Sequence, residues 1–166
     1  MSEAESRFYV IMGVSGCGKT TVGQALADAL ECPFYDGDDF HPPANVARMA
    51  SGTPLTDADR APWLARLAAL IRDELADGRT GVLACSALKQ QYRDQLRVDP
   101  RVRFVFLNGD FDLIWQRMSS RESHYMKVEM LHSQFAALEW PGLEEAVHIN
   151  IDQDVDAIVA QIQQIA

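Results

Sequence analysis

A chain of 166 residues is long enough to bury one core without staples, and its three cysteines (Cys17, Cys32, Cys85) show neither a disulfide framework nor metal-ligand spacing. A formal net charge of −9 with no basic face argues against nucleic acid as a partner; an acidic protein that handles phosphates must gather its cations locally. No apolar run approaches the ~18 residues of a membrane span, and the polar, acidic first six residues do not read as a secretory leader, so a soluble cytoplasmic protein without a membrane partner is expected.

The first strand-like run, Arg7 to Met12, leads into Gly13-Val14-Ser15-Gly16-Cys17-Gly18-Lys19-Thr20. That octapeptide fits G-x-x-x-x-G-K-[ST], the phosphate-binding loop. Its N–H groups, with Thr21 next in line, converge on phosphate oxygens at the positive end of the following helix. Lys19 reaches the terminal phosphates, and the Thr20 hydroxyl suits Mg²⁺. The context fits: Val22, Ala25, Leu26 and Ala29 have helical spacing directly after the loop.

Further strand-like runs follow near 33–36 and at 81–85, 102–107 and 147–151. Between them, Leu64, Leu67, Ala68, Ile71 and Leu75 form a helical stripe, with Thr56 as candidate N-cap and Gly78 as candidate stop. Two more helices are predicted, from Lys127 to Leu138 and around Val155 to Ile162. Apolar strands alternating with amphipathic helices predict one α/β domain over residues 1–166, a parallel sheet covered on both faces. Ligands of such folds sit beyond the carboxyl ends of the strands.

Three stretches lie at such ends. Asp36-Gly-Asp38-Asp39-Phe-His41-Pro42 offers carboxylates beside the loop, one for a Mg²⁺ water and one to take a proton from an attacking hydroxyl; a solvated acidic turn is the alternative. Cys85-Ser-Ala-Leu-Lys89 through Arg93 would put Lys89 and Arg93 on one helix face, if a helix begins near Ser86, to meet an anionic acceptor or simply water. Arg117 to Met126, with Arg121 and His124, suits a lid over the phosphates or an ordinary polar loop between helices. The long insert between the first two stretches adds Arg48 and Arg60 as cations and Trp63 as a core residue.

Together and in this order, these stretches resemble the gluconate kinases, small P-loop carbohydrate kinases allied to shikimate kinase. The carriers are Gly13 to Thr20, Asp36 to Pro42, Asn45, Met49 to Leu55, Asp57 to Trp63, Cys85 to Lys89, Tyr92 to Asp94, Arg121, His124, Ser133-Gln-Phe135, Leu138-Glu139 and Pro141. Ser123, Tyr125 and Pro43 depart from the usual pattern. The resemblance implies a three-layer fold with strand order 2-3-1-4-5, a lid at about 117–127, an acceptor-binding insert at about 38–63 and a homodimer. It implies transfer of the ATP γ-phosphate to the 6-hydroxyl of D-gluconate with Mg²⁺. Residue by residue, Lys19, Asp38 and Arg121 would be catalytic, Asp38 as base. Gly13 to Thr21 and Arg117 would hold ATP, and Thr20 with Asp36 the metal. Asp38, His41, Arg48, Arg60, Lys89, Arg93 and His124 would hold the acceptor. A kinase for another small acceptor, or an ATP-sensing module without an acceptor, remains open at this point; Asp38, Lys89 and Arg93 speak against the module.

Overall fold

The computed structural model describes residues 6–119 and 128–165. Five strands run parallel: β1 (Phe8–Met12), β2 (Phe34–Asp36), β3 (Gly81–Ala84), β4 (Val102–Asn108) and β5 (Ala146–Asn150). Their order is β2-β3-β1-β4-β5, as the resemblance implied. Central Val10 lies opposite Leu83 on one side and Phe104 on the other.

Every residue of β1 is buried, and its pleat divides them between two cores. Tyr9 and Ile11 pack with Val22 and Leu26 of α1 (Lys19–Leu30) and Ile158 and Ile162 of α7 (Val155–Gln163). Phe8, Val10 and Met12 pack with Leu64, Leu67 and Ile71 of α3 (Asp57–Ala76) and Leu96 of α4 (Gln90–Leu96). That sandwich makes the three layers. It also explains why the strands read as continuous apolar runs rather than alternating ones.

Thr56 caps α3 in a reciprocal box: its Oγ1 accepts from the Asp59 N–H at 3.1 Å, and Asp59 Oδ2 accepts from the Thr56 N–H at 2.9 Å. Two local expectations need correction. The helix after β3 begins at Gln90, not near Ser86, because Ala87 takes a left-handed conformation (φ 46°) that no α-helix accommodates. The helix α2 (Pro43–Ala50) has no counterpart in the sequence reading. The remaining helices, α5 (Phe111–Ser119) and α6 (Val128–Ala137), flank residues 120–127. Among the described residues no helix is long and apolar enough to cross a membrane.

Candidate active site

At the carboxyl ends of β1, β2 and β3 opens a cleft of about 610 Å³, lined by Lys19, Thr20, Asp36, Asp38, His41 and Arg60 among others. A second hollow of about 370 Å³ beyond β4 and β5 has carboxylate, carboxamide and apolar walls with no cation among the described residues, so the larger cleft suits phosphates. Gly18, left-handed at φ 97°, turns the loop into α1, a conformation that costs a residue with a Cβ dearly. The side chains of Val14 and Cys17 are buried in the core, which leaves their backbone for ligands. Burial pushes the Cys17 thiol up despite nearby Lys19. Lys19 Nζ donates to the Gly13 and Val14 carbonyls at 2.9 and 3.0 Å, so the loop folds round its own cation.

Opposite stands a 3-10 turn, Gly37–Phe40. Asp36 caps it, one carboxylate oxygen accepting from the Asp38 N–H at 3.0 Å. Asp38 is open to the cleft but crowded elsewhere. Burial pushes its carboxyl above the usual range and the Asp36 carboxylate adds to this, while Lys19 and His41 pull it back. Thr20 and Asp36 share the cleft and offer hard oxygen donors. Few protein ligands plus substrate phosphates is the set Mg²⁺ favours, so these residues fit that ion.

His41 is fixed from both sides. Its ring stacks on Trp63 with centroids 4.2 Å apart. Buried Asn45 brings Nδ2 to 3.2 Å from His41 Nδ1. An amide nitrogen only donates, so Nδ1 accepts and Nε2 carries the proton. Burial lowers the ring's pKa and Arg60 adds to this against Asp38, keeping the imidazole neutral at pH 7. Trp63 is core, as expected, yet it also forms cleft wall, its indole N–H donating to the Gly37 carbonyl at 2.6 Å.

The acceptor-side cations separate. Arg60 lines the cleft, held by the Leu55 carbonyl at 2.8 Å and the Tyr92 hydroxyl at 3.3 Å. Lys89 pairs with Asp57 at 3.0 Å, and Tyr92 donates to the same carboxylate; these two bonds hold Asp57 down to about 2. Arg48 pairs with Asp59 at 3.5 Å. Neither Lys89 nor Arg48 is part of the cleft lining.

Arg93 is a correction. It is fully buried and spends its donors on the Ala87, Leu88 and Glu139 carbonyls and on Glu145 at 2.7 Å. It braces the left-handed turn at Ala87 rather than meeting an acceptor. Arg117 donates to the Ile151 carbonyl at 2.8 Å, just past β5. Arg121 and His124 lie outside the described residues. Sequence reasoning gave no role to Ser86, Ser133 and Gln134, which also line the cleft. The run Ser133-Gln-Phe135 was visible as part of the resemblance but carried no chemistry by itself.

A family model described as shikimate kinase matches residues 15–166. The chain is 46% identical over 158 residues to a gluconokinase of Gluconobacter oxydans (strain 621H), covering 94% of this chain and 89% of that one. It is 45% identical over 159 residues to the thermosensitive gluconokinase of Escherichia coli (strain K12), covering 94% and 85%. The crystal structure of a gluconokinase from Sinorhizobium meliloti 1021 superposes with a TM-score of 0.84 at 41% identity, covering 96% and 90%. On this likeness over nearly its whole length, the chain belongs to the gluconokinase family of shikimate-kinase-like P-loop kinases.

Proposed function

We infer that the protein is an ATP-dependent gluconokinase, transferring the ATP γ-phosphate to the 6-hydroxyl of D-gluconate to give 6-phosphogluconate and ADP. One observation carries this beyond family membership. The phosphate-binding loop and a solvent-open carboxylate with a raised pKa, Asp38, face each other across one cleft. Phosphoryl transfer needs positioning and charge neutralisation more than covalent chemistry.

In this reading the segment from Gly13 to Thr21 holds the phosphates through Lys19 and the amides not spent within the protein, those of Gly13, Ser15 and Cys17 being given to Ser86, Gln134 and Val14. Asp38 takes the proton of the attacking hydroxyl. Neutral His41 donates Nε2–H to an acceptor oxygen, and Arg60 meets the gluconate carboxylate. Lys89 and Arg48, outside the cleft lining, serve as further acceptor-side cations. Arg117 and Arg121 act on the ATP side, with His124 in the same lid segment at 117–127. The 38–63 stretch serves as acceptor-binding insert within one domain. Thr20 and Asp36 would hold Mg²⁺, which when bound neutralises charge on the phosphate oxygens. The free cysteines accord with a cytoplasmic setting, and the assembly in this reading is a homodimer.

A coupled ADP-release assay with Mg-ATP and a panel of sugar acids, shikimate and nucleoside monophosphates tests the substrate. Turnover dependent on D-gluconate is expected; turnover with another acceptor only would move the assignment. In the same assay Asp38→Asn is expected to lose turnover by at least ~10²-fold while still binding ATP. Substantial residual turnover would remove Asp38 as the base.

A further inference from the structure

Gln134, on α6, makes two hydrogen bonds to the apex of the phosphate loop. The Ser15 N–H donates to Gln134 Oε1 at 2.6 Å, and Gln134 Nε2 donates to Ser15 Oγ at 2.9 Å. The amide can sit only this way round: flipped, its NH₂ would face the Ser15 N–H, two donors together. The consequence falls on the serine. A hydroxyl that accepts from Gln134 is left with its own proton to give. Both residues line the cleft that holds Lys19 and Asp38.

The surroundings keep this pair in place. Gly16, next in the loop, packs so closely under Met118 and Ile114 of α5 that an added Cβ would stand 2.6 Å from Met118 Cγ. Beyond α6, Glu139 is anchored three ways: its N–H donates to the Leu88 carbonyl at 2.8 Å, its side chain accepts from the Gln90 N–H at 2.8 Å, and its carbonyl accepts from Arg93 at 2.9 Å. Gln134 is thus presented to the loop by a helix fixed at its exit.

We propose that Gln134 is a positioning residue that turns the Ser15 hydroxyl proton toward the nucleotide's terminal phosphate, making Ser15 a phosphate donor. The proposal rests on the kinase reading above. It predicts that Ser15 and Gln134 act as one unit on ATP.

The test is a double-mutant cycle on the full chain with Ser15→Ala, Gln134→Met and both together. It reads KM for ATP and for D-gluconate, melting temperature, and ATP affinity by calorimetry. Each single variant is expected to weaken ATP binding and raise its KM on the order of 10-fold, the worth of one hydrogen bond to a charged group, with the gluconate KM little changed. The double variant should be no worse than the worse single one. Effects that multiply, or an unchanged ATP affinity in Ser15→Ala, would overturn the proposal. Should Gln134→Met fail to fold, Gln134→Glu serves in its place. A carboxylate accepts from both the Ser15 N–H and O–H, keeping α6 docked while withdrawing the hydroxyl proton. In that background Ser15→Ala should cost no further ATP affinity, and a further loss would overturn the proposal. Calorimetry needs no acceptor, so absent gluconate turnover in the parent would count against the substrate assignment alone.

Discussion

Asp38 shows how a carboxylate is tuned by what surrounds it. Crowding by protein and the neighbouring Asp36 carboxylate raise it, against Lys19 and His41, with Asp39 adding slightly in the upward direction. The base proposed here, Asp38, works only when deprotonated. The acid limb of kcat/KM is therefore expected above the ordinary aspartate value of 3.8, with activity lost as pH falls through the raised value. Asp36→Asn keeps an oxygen to cap the 3-10 turn but removes the charge, so it should move that limb to lower pH; a limb that stays put would discount Asp36 as a cause. The sign for stability is opposite to that of a salt-bridged acid. A carboxyl raised on folding is disfavoured in its charged form, which costs stability above the folded pKa. Asp38→Asn should then melt slightly higher at pH 7 even as it loses turnover, which differential scanning calorimetry would read. Lys19, Asp36 and Asp38 were legible because each lies at or beyond the carboxyl end of a strand, where ligands of parallel sheets gather. Gln134 was not, because its meaning lies in a pairing 119 residues away along the chain.

At the scale of elements, the strands and long helices announced themselves through burial, and the misses have local causes. Helix α2 is only eight residues long, begins with Pro43 and buries only Asn45, while its apolar Val46 and Met49 stay exposed, so no core-facing stripe marks it. Lys89 and Arg93 share one cationic face only if a helix begins near Ser86. Lys89 is instead the residue before the first turn of α4, and Arg93 points inward from it. Arg93 joins α4 to Glu145, the residue before β5, and to the turn after β3. Burial raises the Glu145 carboxyl, but Arg93 and Arg97 bring it down overall, as a paired carboxylate requires. Breaking a buried pair leaves polar groups stranded, so Arg93→Ala is expected to cost roughly 3–5 kcal/mol in urea unfolding. Lysine, a single ammonium, cannot replace four bonds spread across a planar fork. A loss under about 1 kcal/mol, the range of a surface pair, would show that the brace is unimportant.

For the whole molecule, the charge balance and the site stand in tension. A net charge of −9 repels a polyanion, yet Lys19 and Arg60 stand on one cleft at the positive end of α1. Concentrating scarce cations there lets an acidic protein hold phosphates without a general affinity for nucleic acid. The proposed homodimer belongs to this scale too. Light scattering should give twice the 18.5 kDa chain mass, and a value of one chain mass would rule out a stable dimer.

The central place of β1 has a consequence in time. Phe8–Met12 is wholly buried and leaves the ribosome well before its neighbours in the sheet, β3 and β4. At ~5–20 residues per second, Val102–Asn108 follows roughly 5–20 s later. For that interval α1, α3 and β3 can cover its faces and one edge, but the edge that pairs with β4 stays open. Nascent chains of this protein therefore carry an apolar strand with one open edge until β4 emerges, and their yield in a cell depends on whatever shields that edge until translation catches up.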